Sequence, residues 1–313
     1  MHAFEYRDGK LHGEQVPLDR IALEVGTPFY CYSYATLERH FRVFEDPFRE
    51  VPHLVCFSMK ANSNLAVLRV FLNLGGGLDV VSGGELYRAL KAGCDPKKIV
   101  FSGVGKTVRE MEEALEAGIL LFNVESEQEL QRLDAAAARA GRKAPVALRV
   151  NPDIDPKTHP YISTGLKKNK FGIRIEDSFE IYRLDLSLKH VDPVGVHCHV
   201  GSQLLEVRPF VDAVRRVKDL VKMLRAHSIP IRYLDLGGGL GITYHEEKPP
   251  EPAEYARALV EETAELGCTL ILEPGSIRAS ISSSEVRSTP IVISSVAQRS
   301  PGPRRETSAA PMA

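Results

Sequence analysis

Between residues 53 and 273 the chain repeats one pattern. A short β-branched or apolar run ends in a polar or glycine-rich turn, and an amphipathic stretch follows. The strand-like runs are HLVCFS (53–58), GLDVVS (77–82), KIVFSG (98–103), ILLFNV (119–124), VALRVN (146–151), VGVHCHV (194–200), RYLDLGG (232–238) and TLILEPG (269–275). Several are almost continuously apolar, which predicts strands buried on both faces. Helices are predicted between most of them, over 85–92, 108–117, 126–140, 209–226 and 253–266.

Eight βα units in series fit a closed parallel barrel or a doubly wound sheet. The polar residues decide between them. Lys60, Ser82, Ser102, Asn123, Asn151, His199, Gly237, Gly238, Gly239 and Glu273 all fall at or just past the C-terminal end of a run. In a barrel those ends converge on one mouth. In an open sheet only the groups beside the switch point would face a ligand. The predicted fold is therefore α/β, a (β/α)8 TIM-type barrel. Such a barrel takes roughly 250 residues, so a chain of 313 residues has room for it and an appendage.

Two segments depart from the repeat. Residues 152–172, PDIDPKTHPYISTGLKKNKFG, carry no helical period and read as an active-site loop or a surface excursion. Residues 276–313 hold ten Ser and four Pro, with a single strand-like run, TPIVISSV. This tail is expected to be disordered.

Composition narrows the function. A formal net charge of -1 gives no basic excess to attract nucleic acid or an anionic membrane. No apolar run approaches the roughly 18–20 residues that span a bilayer, and MHAFEYRDGKLHGEQ is too polar for a signal peptide. The five cysteines, Cys31, Cys56, Cys94, Cys198 and Cys268, form no CxxC pair. Free thiols in the cytosol are expected.

Four motifs carry candidate chemistry. Lys60 closes the first run, where desolvation can lower an amine's pKa and free it to form a Schiff base; a solvated surface charge is the alternative. His197 and His199 alternate onto one face of their strand, toward the interior. They read as ligand-facing groups or as satisfied core histidines. A metal site is disfavoured because no nearby carboxylate or Cys spacing completes a third ligand. Gly237, Gly238 and Gly239 let backbone N–H groups approach an anion, or simply make a tight turn. Glu273 ends an apolar strand, where a carboxylate needs a cation; a protonated heterocyclic nitrogen or an unseen Arg or Lys would serve. An amine, a glycine turn and an acid together are what pyridoxal phosphate requires.

FSMKAN, DVVSGGEL, HPYISTGLKKNKFGI, HCHVGSQ, LDLGGGLG and EPG, in this order, resemble the diaminopimelate decarboxylases. These belong to the alanine-racemase-like barrel family of pyridoxal-phosphate enzymes. The resemblance runs from about residue 15 to residue 275. It implies Lys60 as the Schiff-base lysine and His199 stacked on the ring, with Ser202 nearby. It implies Gly237, Gly238 and Gly239 at the phosphate, Glu273 of the Glu273-Pro274-Gly275 motif on the pyridine nitrogen, and Asp79 as an acid near the cofactor. The reaction implied is decarboxylation of meso-2,6-diaminopimelate to L-lysine and CO2, in a homodimer.

The resemblance divides the chain into a segment 1–33 that would pair with a β-domain, a pyridoxal-phosphate-binding barrel over 34–275, and a tail 276–313 foreign to the family. Relatives continue EPG with Arg, where this chain has Ser276, and then add the β-domain that completes the partner's site. The chain alone is accordingly expected to be inactive, with Phe29–Tyr32 left without partners. A non-catalytic or regulatory pyridoxal-phosphate-binding subunit and a decarboxylase or racemase for another basic amino acid are the alternatives.

Overall fold

The computed structural model describes residues 3–154, 171–185, 187–244 and 246–275. The tail and most of the 152–172 segment lie outside them.

The chain opens with a small antiparallel sheet: β1 (Phe4–Arg7), β2 (Lys10–Gly13) and β3 (Val16–Pro17). Asp8 and Gly9 both take positive φ between β1 and β2, the backbone a two-residue hairpin requires. Helix α1 (Leu18–Val25) follows. Phe4 and Leu18 form a separate small core with Leu11, Ile21, Phe29 and Cys31 against it. Phe29 therefore does have partners, contrary to the expectation for 29–32, whereas Tyr30 and Tyr32 are exposed.

From α2 (Tyr34–Glu45), capped by Ser33, the βα repeat takes over. The barrel strands are β4 (His53–Ser58), β5 (Gly77–Val80), β6 (Ile99–Phe101), β7 (Leu121–Val124), β8 (Ala144–Asn151), β10 (Val191–His197), β11 (Tyr233–Asp235) and β12 (Thr269–Leu272), with a two-residue β9 (Ile173–Arg174) paired to the end of β8. Every neighbouring pair is parallel, and β10 pairs with both β8 and β11 while β12 pairs with β4. The sheet thus closes as the (β/α)8 barrel expected.

The helices are α3 (Leu65–Asn73), α4 (Gly83–Ala92), α5 (Val108–Ala117), α6 (Glu127–Ala140), α7 (Ile175–Asp185), α8 (Arg208–Ala226) and α9 (Pro252–Thr263). Three successive ones share a local code. Ser82, Thr107 and Ser126 cap the N-termini of α4, α5 and α6, and Gly93, Gly118 and Gly141 turn left-handed at their ends. Side-chain oxygens satisfy the first free amides, and glycine adopts positive φ without a Cβ penalty. Ser82 therefore serves its helix rather than facing a ligand. Asn151 likewise accepts from the Asp153 amide at 2.9 Å.

One buried cation ties the βα units together. The Lys106 ammonium donates to the Gly103 carbonyl at 2.8 Å, the Asn123 carbonyl at 2.7 Å and Glu129 Oε1 at 2.8 Å. All three of its protons are used, so the charge is tolerated in the interior. Lys106→Met should lower folding stability by about 3–5 kcal/mol, because it strands the Glu129 carboxylate. Adding Glu129→Gln should restore part of the loss. Urea unfolding midpoints measure both effects, and an unchanged midpoint for Lys106→Met would mean that water already reaches Glu129.

Candidate active site

Alternation along parallel strands builds two rings of side chains inside the barrel. Cys56, Val100, Leu121, Ala147 and Ile271 form one buried apolar cluster from five strands. Two residues further along stand Ser58, Asn123 and Arg149 on the same strands and, just past β6 and β12, Ser102 and Glu273. Asp79, His197 and Asp235 join this upper polar ring from β5, β10 and β11. A dry apolar floor therefore lies beneath a polar layer at the C-terminal mouth.

Apart from Arg149, which pairs with Glu125, and His197, the upper ring is a hydrogen-bonded set of acids and neutral donors. The Ser58 hydroxyl donates to Asp79 Oδ2 at 2.6 Å, and the Ser102 hydroxyl donates to Glu273 Oε1 at 3.1 Å. The Asn123 amide reaches Asp235 Oδ2 at 2.8 Å and Glu273 Oε1 at 3.1 Å. The Gly237 N–H donates to Asp235 Oδ1 at 2.9 Å. Burial pushes the Asp79 carboxyl up, lifts Asp235 to about 6, and drives Glu273 well above the usual range; repulsion from Asp79 adds to the rise at Asp235, and repulsion from Asp235 and Asp79 to that at Glu273. The Lys60 charge opposes the rise at Asp79 and Glu273.

The two histidines separate. His197 closes β10 and is buried, with neither ring nitrogen hydrogen-bonded and Nε2 at 3.8 Å from Glu273 Oε2. His199 lies beyond the strand, so the two do not share a strand face as expected. Its Nδ1 accepts from the Gly238 N–H at 3.3 Å. Burial, with Arg149 and Lys60 adding to it, lowers His199 to about 3. Burial also holds His197 far below the ordinary imidazole value, so both rings are neutral at physiological pH.

The three glycines are packing requirements. A Cβ on Gly238 would stand 2.2 Å from the Glu273 carbonyl oxygen, one on Gly239 2.0 Å from the Gly201 carbonyl, and one on Gly237 2.8 Å from His199 Nδ1. The backbones leaving β10, β11 and β12 touch here. Their loops wall a cavity of about 420 Å3 lined by Lys60, His199, Ser202, Gly238, Gly239, Glu273, Pro274 and Gly275, with His40 and Phe44 of α2 and Tyr255 of α9 closing another side. Asp79 and Gly237 lie behind this lining.

Three expectations are corrected. Lys60 is exposed on the rim rather than enclosed at a buried strand end. Among the described residues no Lys or Arg forms an ion pair with Glu273, so the structural-pair alternative finds no partner there; the neutral His197 ring stands with Nε2 at 3.8 Å from Glu273 Oε2. Carboxylates do stand near His197: ligand atoms of His197, Asp235 and Glu273 lie within 4.8 Å of one another. The Asn123 amide already bridges the two acids, so hydrogen bonding accounts for their approach. Sequence reading also missed Asp235 and the Arg149–Glu125 pair at 2.7 Å. Asp235 was detectable as a lone acid inside the apolar run YLDL.

The model of the pyridoxal-dependent decarboxylase family, pyridoxal binding domain, matches residues 34–280. The chain belongs to this family. Its first matched residue is the first residue of α2, where the barrel begins, and the match extends past the boundary placed at 275. The chain is 54% identical to the diaminopimelate decarboxylase of Vibrio cholerae over 277 residues, covering 88% of this chain and 66% of that protein. The Pseudomonas aeruginosa enzyme of the same name is 54% identical over 275 residues with the same coverage. The crystal structure of Helicobacter pylori diaminopimelate decarboxylase complexed with L-lysine superposes with a TM-score of 0.79 at 42% identity, covering 83% of this chain and 66% of that one. The chain thus spans just under two thirds of the length of these family members.

The acid ring gives the stability of this family member a pH signature. Asp235 has a folded value of about 6 against 3.8 for the free side chain. Between those values the folded barrel binds a proton that the unfolded chain has lost, so stability falls as pH rises through that window. The lowered histidines act in the opposite sense below about pH 6.5, but they are common to wild type and variant. Asp235→Asn should therefore gain in melting temperature relative to wild type between about pH 4 and about pH 7.5. A difference that stays constant with pH would show that Asp235 does not titrate there.

Proposed function

We propose that the barrel binds pyridoxal 5'-phosphate and, by that chemistry, decarboxylates meso-2,6-diaminopimelate to L-lysine and CO2. One observation carries the reading: Lys60, Gly238 and Glu273, from three distant motifs, line a single cavity.

The residues present fit such a cofactor. Asp79 Oδ1 and both His197 nitrogens are buried without hydrogen-bond partners, and the N–H groups of Gly239 and Leu240 donate to no described acceptor. Lys60 supplies the amine that would hold the aldehyde carbon. Gly238, Gly239 and Ser202 would hold the phosphate, where side-chain-free backbone admits an anion. Glu273 would pair with the ring nitrogen, and Asp79, behind it, adds negative potential. Neutral His199 would face the ring, its orientation fixed by the Gly238 amide. When bound, the protonated ring accepts the electron pair left behind as CO2 departs. The names of the relatives and the L-lysine bound to the Helicobacter pylori structure support the substrate choice.

Among the described residues no helix is long and apolar enough to cross a membrane. All five cysteines are free thiols, which suits the cytosol. The homodimer implied by the resemblance belongs to the same proposal, and sedimentation equilibrium reads it.

The test uses mass spectrometry. After incubation with pyridoxal 5'-phosphate and borohydride, the reduced ring should be found on the Lys60 peptide and be absent from Lys60→Ala. Label on another lysine, or label retained by Lys60→Ala, would sink the cofactor assignment. Release of CO2 from meso-2,6-diaminopimelate, with at least about a hundredfold loss in Lys60→Ala, tests the substrate; turnover of ornithine or arginine in its place would refute it.

A further inference from the structure

The barrel mouth buries more acid than one ring nitrogen needs. Glu273 faces Asp235 from β11, Asp79 from β5 and His197 from β10, with Lys60 beyond the end of β4. Ser102 and Asn123 contribute neutral donors from β6 and β7, and the buried thiols Cys56 and Cys198 sit within reach of the same acids. Lys60 is the cation that acts on Glu273, and it stands exposed on the rim.

Asn123 makes the crowding explicit. A single amide nitrogen lies 2.8 Å from Asp235 Oδ2 and 3.1 Å from Glu273 Oε1. An amide offers donors but no charge. Two ionised carboxylates held this close in a dry site repel strongly, and one proton between them relieves that repulsion. His197 is neutral and fully buried, so it brings no compensating charge.

We propose that Asp235 is a positioning residue: with Asn123 it keeps one proton on the Asp235–Glu273 pair before a cofactor docks, and that proton passes to the ring nitrogen on docking. The inference rests on the cofactor reading above. In the transfer a carboxyl O–H bond breaks and a ring N–H bond forms, with no change in oxidation state. The pair goes from one negative charge to two as the ring becomes a cation against it. An unprotonated ring then docks without drawing a proton from solvent.

Isothermal titration calorimetry on the full chain counts these protons. The probe is 4-deoxypyridoxine 5'-phosphate, which keeps the ring nitrogen and phosphate but has no aldehyde for Lys60. Titrations run in two buffers of different ionisation enthalpy, at a pH where the free ring nitrogen is unprotonated. Wild type should exchange about zero protons per ring bound, and Asp235→Asn should take up measurably more, because Glu273 then loses the Asp235 repulsion that adds to burial in holding its proton. The N-methylated probe carries a fixed charge and should expel about one proton from wild type. That second probe keeps the test decisive if Asp235→Asn does not fold.

Uptake of a proton by wild type, or no release with the N-methylated probe, overturns the shared proton while leaving cofactor binding intact. Absence of binding by the plain probe sinks the cofactor reading, and this inference with it.

Discussion

Everything at the mouth follows from placing Asp79, Asp235 and Glu273 in one buried layer with no Lys or Arg paired to them among the described residues. The apolar ring below, from Cys56 to Ile271, denies them water. Neutral donors from Ser58, Ser102, Asn123 and the Gly237 amide offset part of the penalty. What they cannot supply is positive charge. A site arranged in this way resists ionisation by itself and rewards a ligand that arrives as, or becomes, a cation. On the proposed reading, the same residues that weaken the barrel above about pH 6 would give it affinity, which is the usual conflict between stability and a functional site.

The glycine run shows that two readings of one motif need not compete. Gly237, Gly238 and Gly239 could be a tight turn or an anion cradle on sequence grounds. The close approaches to His199, Glu273 and Gly201 settle the first need: three strand ends converge so tightly that any side chain would collide with backbone or ring. A backbone stripped of side chains for packing is also a backbone whose amides face the cavity. Packing thus prepares the surface that anion binding would use.

How much was legible depends on whether a residue's role is local. All eight strands and the five helices read from the sequence are present, because parallel strands buried on both faces leave continuous apolar runs. Some strands end before their runs do: β10 stops at His197 and β12 at Leu272, since the residues that turn toward the mouth leave the ladder. Lys60, His199, Ser202, Gly238 and Glu273 sit in loops or strand ends and could be singled out there. Asn123 could be placed at a strand end and Asp235 stands out as a lone acid in an apolar run, but only the closed register brings Asn123 beneath Glu273, 150 positions away. Ser82 misled for the opposite reason, a strand-end polar residue used by the next helix. The Lys106–Glu129 and Arg149–Glu125 pairs join separate βα units and carry no signal until the units pack.

The partition of solvent between Lys60 and the acids has a mechanical logic. Sequence reading assigned desolvation to the amine; the fold assigns it to Glu273 and leaves Lys60 wet. On the proposed cofactor reading, the carboxyl that would meet the ring nitrogen gains from being fixed at a strand end, braced by Ser102 and Asn123. The amine that on the same reading would reach an aldehyde carbon, and release it again, gains from a flexible stem at the rim. A planar ligand lying on Glu273 would itself cover the cavity and shed water from the rim, so the change of environment at Lys60 would come from the ligand rather than from the protein. The barrel therefore keeps its rigid, costly element in the core and its moving element in solvent, which is the division its two rings of side chains impose.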